Sequence, residues 1–302
     1  MRVLVTGASG FIGRAVVPEL LAAGHDVAGL ARSAASAATV GGLGATVVRG
    51  SVEDLGTLSV ASAKADAVVH LAFRHDLAFA GRFAEAVASD LDAIEAIAAG
   101  LPEGGAITIA GATHGLEQDG AGVSTEHALP GALGAKRYPP TEAVLALGER
   151  GLRPSVVRLP PTVHGEGDAM FLPALIRNAR ERGVAGYPGD GQARWPAVHV
   201  LDAARLFRLA IEVAPPSSVL HAVAEEGIPV RAIADTLGRR LGVPTRSVPS
   251  EEVEAHFGFI GMVLGVDGPA SSTLTRTLTG WEPRECGLLE DLDQEHYFAT
   301  GG

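Results

Sequence analysis

The sequence predicts an α/β protein, a doubly wound parallel sheet with a smaller C-terminal substrate-binding region. Three observations predict it. A short apolar run, Val3-Leu4-Val5, empties into the turn Thr6-Gly7-Ala8-Ser9-Gly10-Phe11-Ile12-Gly13, which opens a helical pattern. Strand-length apolar segments then alternate with helical stretches as far as Leu159. At Pro160-Pro161 the rhythm breaks, and Gly165, Gly167, Gly186, Gly189 and Gly191 mark loops. This divides the chain into a cofactor-type domain over 1–160, to which 195–225 returns, and a substrate-binding region over 161–194 and 226–302.

The order strand, glycine turn, helix has a chemical use. A helix N-terminus offers unpaired N–H groups and a partial positive charge, and glycine lets a pyrophosphate approach the backbone. Gly7 makes the turn, Gly10 admits phosphates and Gly13 lets the helix pack on the strand; Ser9, Phe11 and Ile12 complete the turn. The helix runs from about Phe11 to Ala23 across Pro18, and the second strand, Asp26 to Ala31, ends in Arg32-Ser33. In a dinucleotide fold that strand end faces the adenosine ribose, where an acid binds the 2′-hydroxyl and an arginine accepts a 2′-phosphate. Arg32 therefore favours NADPH over NADH.

An alanine-rich helix follows near Ala34 to Val40, and the third strand, Ala45 to Arg49, ends at Gly50-Ser51-Val52, where Ser51 and Val52 would flank the adenine. Ala67 to Leu71 is the fourth strand, closed by Ala72-Phe73; a long helix spans about Ala80 to Ala99; Ala106 to Ala110 is the fifth strand. A helix near Pro140 to Glu149 leads to the sixth, Ser155 to Leu159. Beyond it come a helix near Phe171 to Arg182, a strand at Val198 running into a helix capped by Asp202, a strand at Val219 to Val223, and helices near Val230 to Leu241 and Ser250 to Phe257. Gly280-Trp281-Glu282-Pro283 leads into a last helix ending near Tyr297.

Composition excludes several functions. A formal charge of −11 argues against nucleic acid, which needs a basic face. No apolar run reaches membrane-spanning length and the N-terminus is a strand, so a cytoplasmic protein with no membrane partner is expected. The one cysteine, Cys286, excludes internal disulfides and thiolate clusters. No histidine pair has metal-ligand spacing on a helix, so no metal is expected. The chain's lysines are Lys64 and Lys136, which leaves a lysine-dependent mechanism almost no choice.

TGASGFIG at the start, ADAVVHLAF at the fourth strand, VVRLP at the sixth, HVLDAARL after it and TGWEP near the end together resemble the short-chain dehydrogenase/reductase superfamily, in its extended and atypical branches, often labelled NAD-dependent epimerase/dehydratase. VHGEGD followed by RWPAVHVLDAARL is similar to an atypical NADP-binding subgroup whose active-site tetrad is poorly kept. The resemblance implies a Rossmann-type fold with the nicotinamide near Leu71, Ala72, Phe73, Pro160 and Val163. It also implies a homodimer, through the helices beginning near Ala80 and Pro140.

The tetrad departs from the family pattern. The family pairs a tyrosine acid with a lysine four residues later, whereas Tyr138 is followed at that spacing by Glu142. Tyr138 is either the proton donor or a pocket-lining tyrosine, and Lys136 can reach the ribose from a loop. The family's hydroxyl residue after the fifth strand corresponds to Thr113, which either polarises a substrate carbonyl or caps its own backbone. The family asparagine on the long helix corresponds to Asp90, which either organises a water relay or is a solvated helix residue. His114 reads as an exposed loop histidine, His70 as hydrogen-bonded core and His199 as structural, while His164 and Met170 shape the pocket.

The expected activity is NADPH-dependent reduction of a carbonyl or imine of a small to medium organic molecule, with Tyr138 or water supplying the proton and Thr113 orienting the acceptor. Two alternatives remain: a sugar-nucleotide epimerase or dehydratase, and a non-catalytic NADPH sensor. Residues between Thr162 and Arg182 and from Phe257 to Leu264 are expected to set substrate identity.

Overall fold

In the structure, a computed structural model, residues 1–298 are described, apart from the side chains of Phe259 and Met262. The first half alternates as the apolar runs require. β1 (Arg2–Thr6), α1 (Phe11–Ala22), β2 (Asp26–Ala31), α2 (Ala34–Gly42), β3 (Thr46–Arg49), α3 (Leu55–Ser62), β4 (Ala67–His70), α4 (His75–Phe79), α5 (Phe83–Gly100), β5 (Ala106–Ala112), α6 (Pro139–Ala146) and β6 (Arg153–Leu159) follow one another. The second half adds β7 (Thr162–His164), α7 (Phe171–Arg182), β8 (Ala185–Pro188), β9 (Arg194–His199), α8 (Val200–Glu212), β10 (Ser218–His221), β11 (Glu225–Pro229), α9 (Val230–Leu241), β12 (Thr245–Val248), α10 (Val253–Phe257), α11 (Gly261–Leu264), α12 (Thr273–Thr279) and α13 (Leu288–Leu292).

Seven strands form one parallel sheet in the order β10-β6-β5-β4-β1-β2-β3. Side chains of a strand alternate between faces, and here both faces are covered. Val3, Val5, Ala67 and Val69 face one core with α1 and α8, while Leu4, Val68, Ile107 and Ile109 face the other with α5 and α6. That is why β1 and β4 read as unbroken apolar runs.

Within 195–225, α8 packs against α1 and β10 pairs with β6, whereas β9 lies in a separate three-stranded sheet, β11-β9-β7. A third sheet pairs β8 with β12 over a core that includes Trp195, Leu237 and Leu264. Trp281 of the TGWEP stretch is fully buried against α8, where its indole N–H donates to the Asp202 carbonyl at 2.9 Å.

Three departures from the sequence reading have local causes. α3 lies where no element was expected; its apolar pattern is weak, but Asp54 caps it, accepting from the Thr57 amide at 3.1 Å. β7, β8, β11 and β12 are only three to five residues long and lie among glycines and prolines, below the length at which alternation is legible. Asp202 is not the cap of α8. His199 holds that position, its Nδ1 accepting from the Leu201 amide at 3.2 Å, while Asp202 sits buried in the first turn and accepts from the Arg284 and Glu285 amides and from Arg205.

Candidate active site and cofactor cradle

Because the main sheet is parallel, the C-terminal ends of its strands share one edge, and the candidate residues follow from it. Thr6 ends β1 and Gly7 follows it, Arg32 follows β2, Ser51 and Val52 follow β3, Leu71 to Phe73 follow β4, Thr113 follows β5 and Pro160 follows β6. Ligands in open α/β sheets lie along such an edge.

The glycine turn has a shape that a phosphate fits. Gly7 has φ +66°, and a Cβ there would stand 2.9 Å from the Ala72 nitrogen and the Leu71 carbonyl carbon, so β4's exit crosses directly over it. At Gly13 a Cβ would meet the Gly7 carbonyl oxygen at 2.2 Å, so this glycine seats the helix on the turn itself rather than on the strand. A Cβ at Gly10 would meet only the Gly7 oxygen, at 3.2 Å, and otherwise faces open space. α1 has no side-chain cap and no acidic residue in its first turn. Its leading N–H groups therefore remain available to an anion. This geometry fits a dinucleotide pyrophosphate.

Around the expected ribose site, Arg32 is exposed with no ion-pair partner among the described residues. Ser33 starts α2 in a reciprocal capping arrangement with Ser36. Arg49 at the end of β3 donates to the Ser33 carbonyl at 2.6 Å, which brings a second guanidinium to this corner. Sequence reading missed Arg49; its place at a neighbouring strand end was the available signal. Ser51 accepts from the Glu53 amide and Val52 packs into the α3–α5 core, which turns its side chain inward.

A buried polar chain lies beneath the β4 exit. Thr6 Oγ1 accepts from the Ala72 amide at 3.2 Å and meets His70 Nδ1 at 2.8 Å; His70 Nε2 meets Asp90 Oδ1 at 3.0 Å; Arg137 Nη1 donates to Asp90 Oδ2 at 3.0 Å. One tautomer satisfies every bond, with the Thr6 hydroxyl donating to Nδ1 and Nε2–H donating to Asp90. The Arg137 guanidinium lies 3.6 Å from the centre of the Phe73 ring. Burial raises the Asp90 pKa, but the bonds and charges of His70 and Arg137 outweigh it and hold the carboxyl below its ordinary range.

This chain corrects one expectation. Asp90 is not a solvated helix residue, because it is 7% exposed and each of its oxygens is hydrogen-bonded. It positions Arg137. Lys136, expected to reach the ribose, is exposed on the short 3-10 turn before α6, and Arg137 is the residue of that turn that points inward. Thr113 is buried, its amide donating to the Leu159 carbonyl at 2.9 Å and its hydroxyl 3.5 Å from the same oxygen. That long contact leaves the hydroxyl weakly held.

Tyr138 stands at the N-terminus of α6 beside Arg158 of the VVRLP strand, close enough to act on the guanidinium. Arg158 is buried and also approaches His221 Nε2 at 3.3 Å and the Glu126 carbonyl at 3.4 Å. Glu126 Oε1 accepts from the amide and hydroxyl of Thr275, both at 2.7 Å, and His221 Nδ1 meets the Ser271 carbonyl at 2.8 Å. A second polar knot therefore joins β6, β10 and α12 behind Tyr138. His114 is half-buried rather than exposed, and burial lowers its pKa, so its imidazole is neutral at pH 7. Pro160 is buried and Val163 sits within β7, half-buried, while Met170 is exposed and His164 is buried against Asp291.

His221 predicts an acid limb in stability. Burial, reinforced by Arg158 and opposed by Glu126, pushes its pKa down to about 4. Above the unfolded value near 6.5 the imidazole is neutral in both states and costs nothing. Between 6.5 and 4 the unfolded chain takes up the proton first, so stability falls over that window by a few kcal/mol and levels off below it. Urea unfolding midpoints from pH 7.5 to 4 are expected to show this fall, and His221→Gln to flatten it; an unchanged slope in the variant would assign the acid limb to other groups.

The cradle and the parallel sheet together define a Rossmann-type dinucleotide protein. The chain belongs to the NAD-dependent epimerase/dehydratase family, whose model matches residues 3–96 and 141–222. It is 43% identical to an uncharacterized protein, C2A9.02, of Schizosaccharomyces pombe over 99% of this chain and 100% of that one. It is 30% identical to the 4-hydroxy-2-methyl-3-oxo-4-farnesyl-3,4-dihydroquinoline-1-oxide ketoreductase of Stigmatella aurantiaca, over 85% of this chain and 80% of that one. Among solved structures it is similar to a dTDP-glucose 4,6-dehydratase of Streptomyces venezuelae with NAD and TYD bound, at a TM-score of 0.76 and 22% identity over 97% of this chain and 95% of that one. Among the described residues, no helix is long and apolar enough to cross a membrane.

Proposed function

We propose that the protein is an NADPH-dependent oxidoreductase that reduces a carbonyl, or an imine, of a small to medium organic molecule. The observation that carries the reading is the corner where β2 and β3 end. Arg32 and Arg49 stand at those strand ends with no acid in the place where NAD-type sites hold the ribose hydroxyls. Two guanidiniums suit a 2′-phosphate, which accepts paired hydrogen bonds and carries charge. The Stigmatella relative, a ketoreductase by name, supports the reductase reading.

In this reading the first turn of α1 and Gly10 hold the pyrophosphate, Arg32 and Arg49 the 2′-phosphate, and Leu71, Ala72, Phe73 and Pro160 border the nicotinamide. The cofactor supplies the hydride. Thr113 orients the acceptor oxygen, Tyr138 or a water it holds gives up the proton, and the Asp90–Arg137–Phe73 stack keeps the β4 exit in place.

The second reading, a sugar-nucleotide epimerase or dehydratase, is favoured by the likeness to the Streptomyces dehydratase. At 22% identity that likeness speaks for the fold, and the loop after β6, Pro160-Pro161-Thr162, lacks the asparagine such enzymes place on a sugar diphosphate.

Calorimetric titration with NADPH and NADH, followed by turnover with ketones, enones and imines, tests the proposal. NADPH is expected to bind at least about tenfold more tightly than NADH, with the difference removed in Arg32→Ala, and Tyr138→Phe is expected to lower kcat. Tighter NADH binding, or sugar-nucleotide turnover without carbonyl reduction, would overturn it; NADPH binding without any turnover would point to a sensor.

A further inference from the structure

Three segments distant in the chain bring ligand-type side chains to one point. His164 ends β7, His199 precedes α8 and Asp291 lies in α13; a ring nitrogen of each histidine and a carboxylate oxygen of Asp291 all lie within 4.8 Å of one another. His164 and Asp291 are buried and joined, His164 Nδ1 to Asp291 Oδ2, at 2.8 Å. The two imidazoles meet edge to face with centroids 5.3 Å apart. His296 adds a buried Nε2 with no hydrogen-bond partner among the described residues, 3.6 Å from Asp291 Oδ1. Behind His164, the Gly165 amide donates to the Tyr297 hydroxyl at 3.1 Å and fixes the strand exit.

The cluster opens on a cleft of about 650 Å³ beside the start of α1. His199, Asp291 and His296 line it, and its remaining charged lining is Glu166, Glu285 and Glu295 against Arg14. Glu285 and Glu295 are paired with Arg205 and Arg240, so the ligand set itself, rather than the charge of the cleft, selects the ion.

We propose that His164, His199 and Asp291 bind a divalent transition-metal cation of the zinc type, with His296 or water completing the coordination from the cleft. Two imidazoles and one carboxylate with an open fourth position form a zinc-type ligand set, whereas calcium and magnesium take oxygen ligands. Tetrahedral bonds of about 2.0–2.1 Å set ligand atoms roughly 3.3 Å apart. The His164–Asp291 pair therefore opens by roughly half an ångström while ligand atoms as far as 4.8 Å apart draw in, and the single proton of the neutral His164 ring moves from Nδ1 to Nε2 by exchange with solvent. Binding through His199 Nε2 places that ring's proton on Nδ1, so the exposed Leu201 amide exchanges the histidine for water. The ion would fasten α13 to β7 and to the start of α8, a tie independent of the hydride chemistry proposed above. No sequence spacing reveals such a set, because its members come from three separate elements.

The test is equilibrium dialysis of chelator-treated protein against Zn²⁺, with bound metal counted, and Co²⁺ absorption as a report of geometry. One Zn²⁺ per chain is expected, with Co²⁺ bands of a four- or five-coordinate site and a rise in Tm of about 4 °C at a hundredfold excess over Kd. His199→Asn keeps an N-cap side chain for α8 while removing the ligand, so it is expected to fold, bind at least about tenfold more weakly and lose the Co²⁺ bands. Asp291→Asn is expected to act in the same direction. Failure to bind one equivalent at micromolar free zinc, or full binding in His199→Asn, would overturn the proposal.

Discussion

Gly13→Ala is expected to cost about 3 kcal/mol or more and to give little folded protein. The added methyl would stand 2.2 Å from the Gly7 carbonyl oxygen and 2.7 Å from the Ala8 Cα. Both are backbone atoms of a turn that β4's exit holds from the other side, through the Leu71 amide donating to the Thr6 carbonyl and the Ala72 amide donating to Thr6 Oγ1. Relief therefore requires α1 to lift off the sheet, where Val16, Val17 and Leu20 are fully buried. Gly10→Ala is the control. Its methyl meets only the Gly7 oxygen, at 3.2 Å, so the fold is expected to survive within about 1 kcal/mol. The same methyl would fill the space in front of the α1 N-terminus, and NADPH affinity is expected to fall by at least about tenfold. Urea unfolding and calorimetry on the two variants separate the roles, and a Gly13→Ala protein as stable as the parent would refute the packing described for the turn.

Asp90→Ala is expected to destabilise by about 3 kcal/mol at pH 7, toward the lower end of what breaking a buried ion pair costs. His70 would lose its acceptor in a site 3% exposed and could not reach water, whereas Arg137, with a quarter of its side chain exposed, could turn outward. Loss of the Arg137 anchor would also free Phe73, so turnover is expected to fall even in molecules that remain folded. The pH dependence has a definite sign. The folded pKa of Asp90 lies below its unfolded value, so its contribution is complete above about pH 4 and is lost as pH falls through the folded value. The stability gap between parent and variant is therefore expected to narrow as pH falls below 4. A gap unchanged down to pH 3 would contradict the ion-pair account.

Much of this was legible in the sequence, and for a physical reason. Strands of a parallel sheet are covered on both faces, so Val3-Leu4-Val5 and Ala67-Val68-Val69 announce themselves as apolar runs. A glycine required by a positive φ or by a close approach leaves its mark in the chain; Gly7 and Gly13 therefore announce the turn between β1 and α1 by local order alone. The short strands of the second half carried no such signal.

The candidate site was legible only in part, because its side chains are selected by direction rather than by position. In Ala135-Lys136-Arg137-Tyr138 the sequence singles out Lys136, but the turn into α6 leaves Lys136 in solvent and aims Arg137 at Asp90 and Phe73. Arg49 comes close to Ser33 only because β3 pairs with β2. His164, His199 and Asp291 meet only after β7 has paired with β9 and α13 has docked against both. Local chain order thus determined the fold class and the glycine turn at the C-terminal edge of the sheet, since each rests on neighbours in sequence. The buried polar networks and the three-segment ligand cluster were decided by tertiary structure alone, because hydrogen bonds and coordination depend on distances that only packing sets.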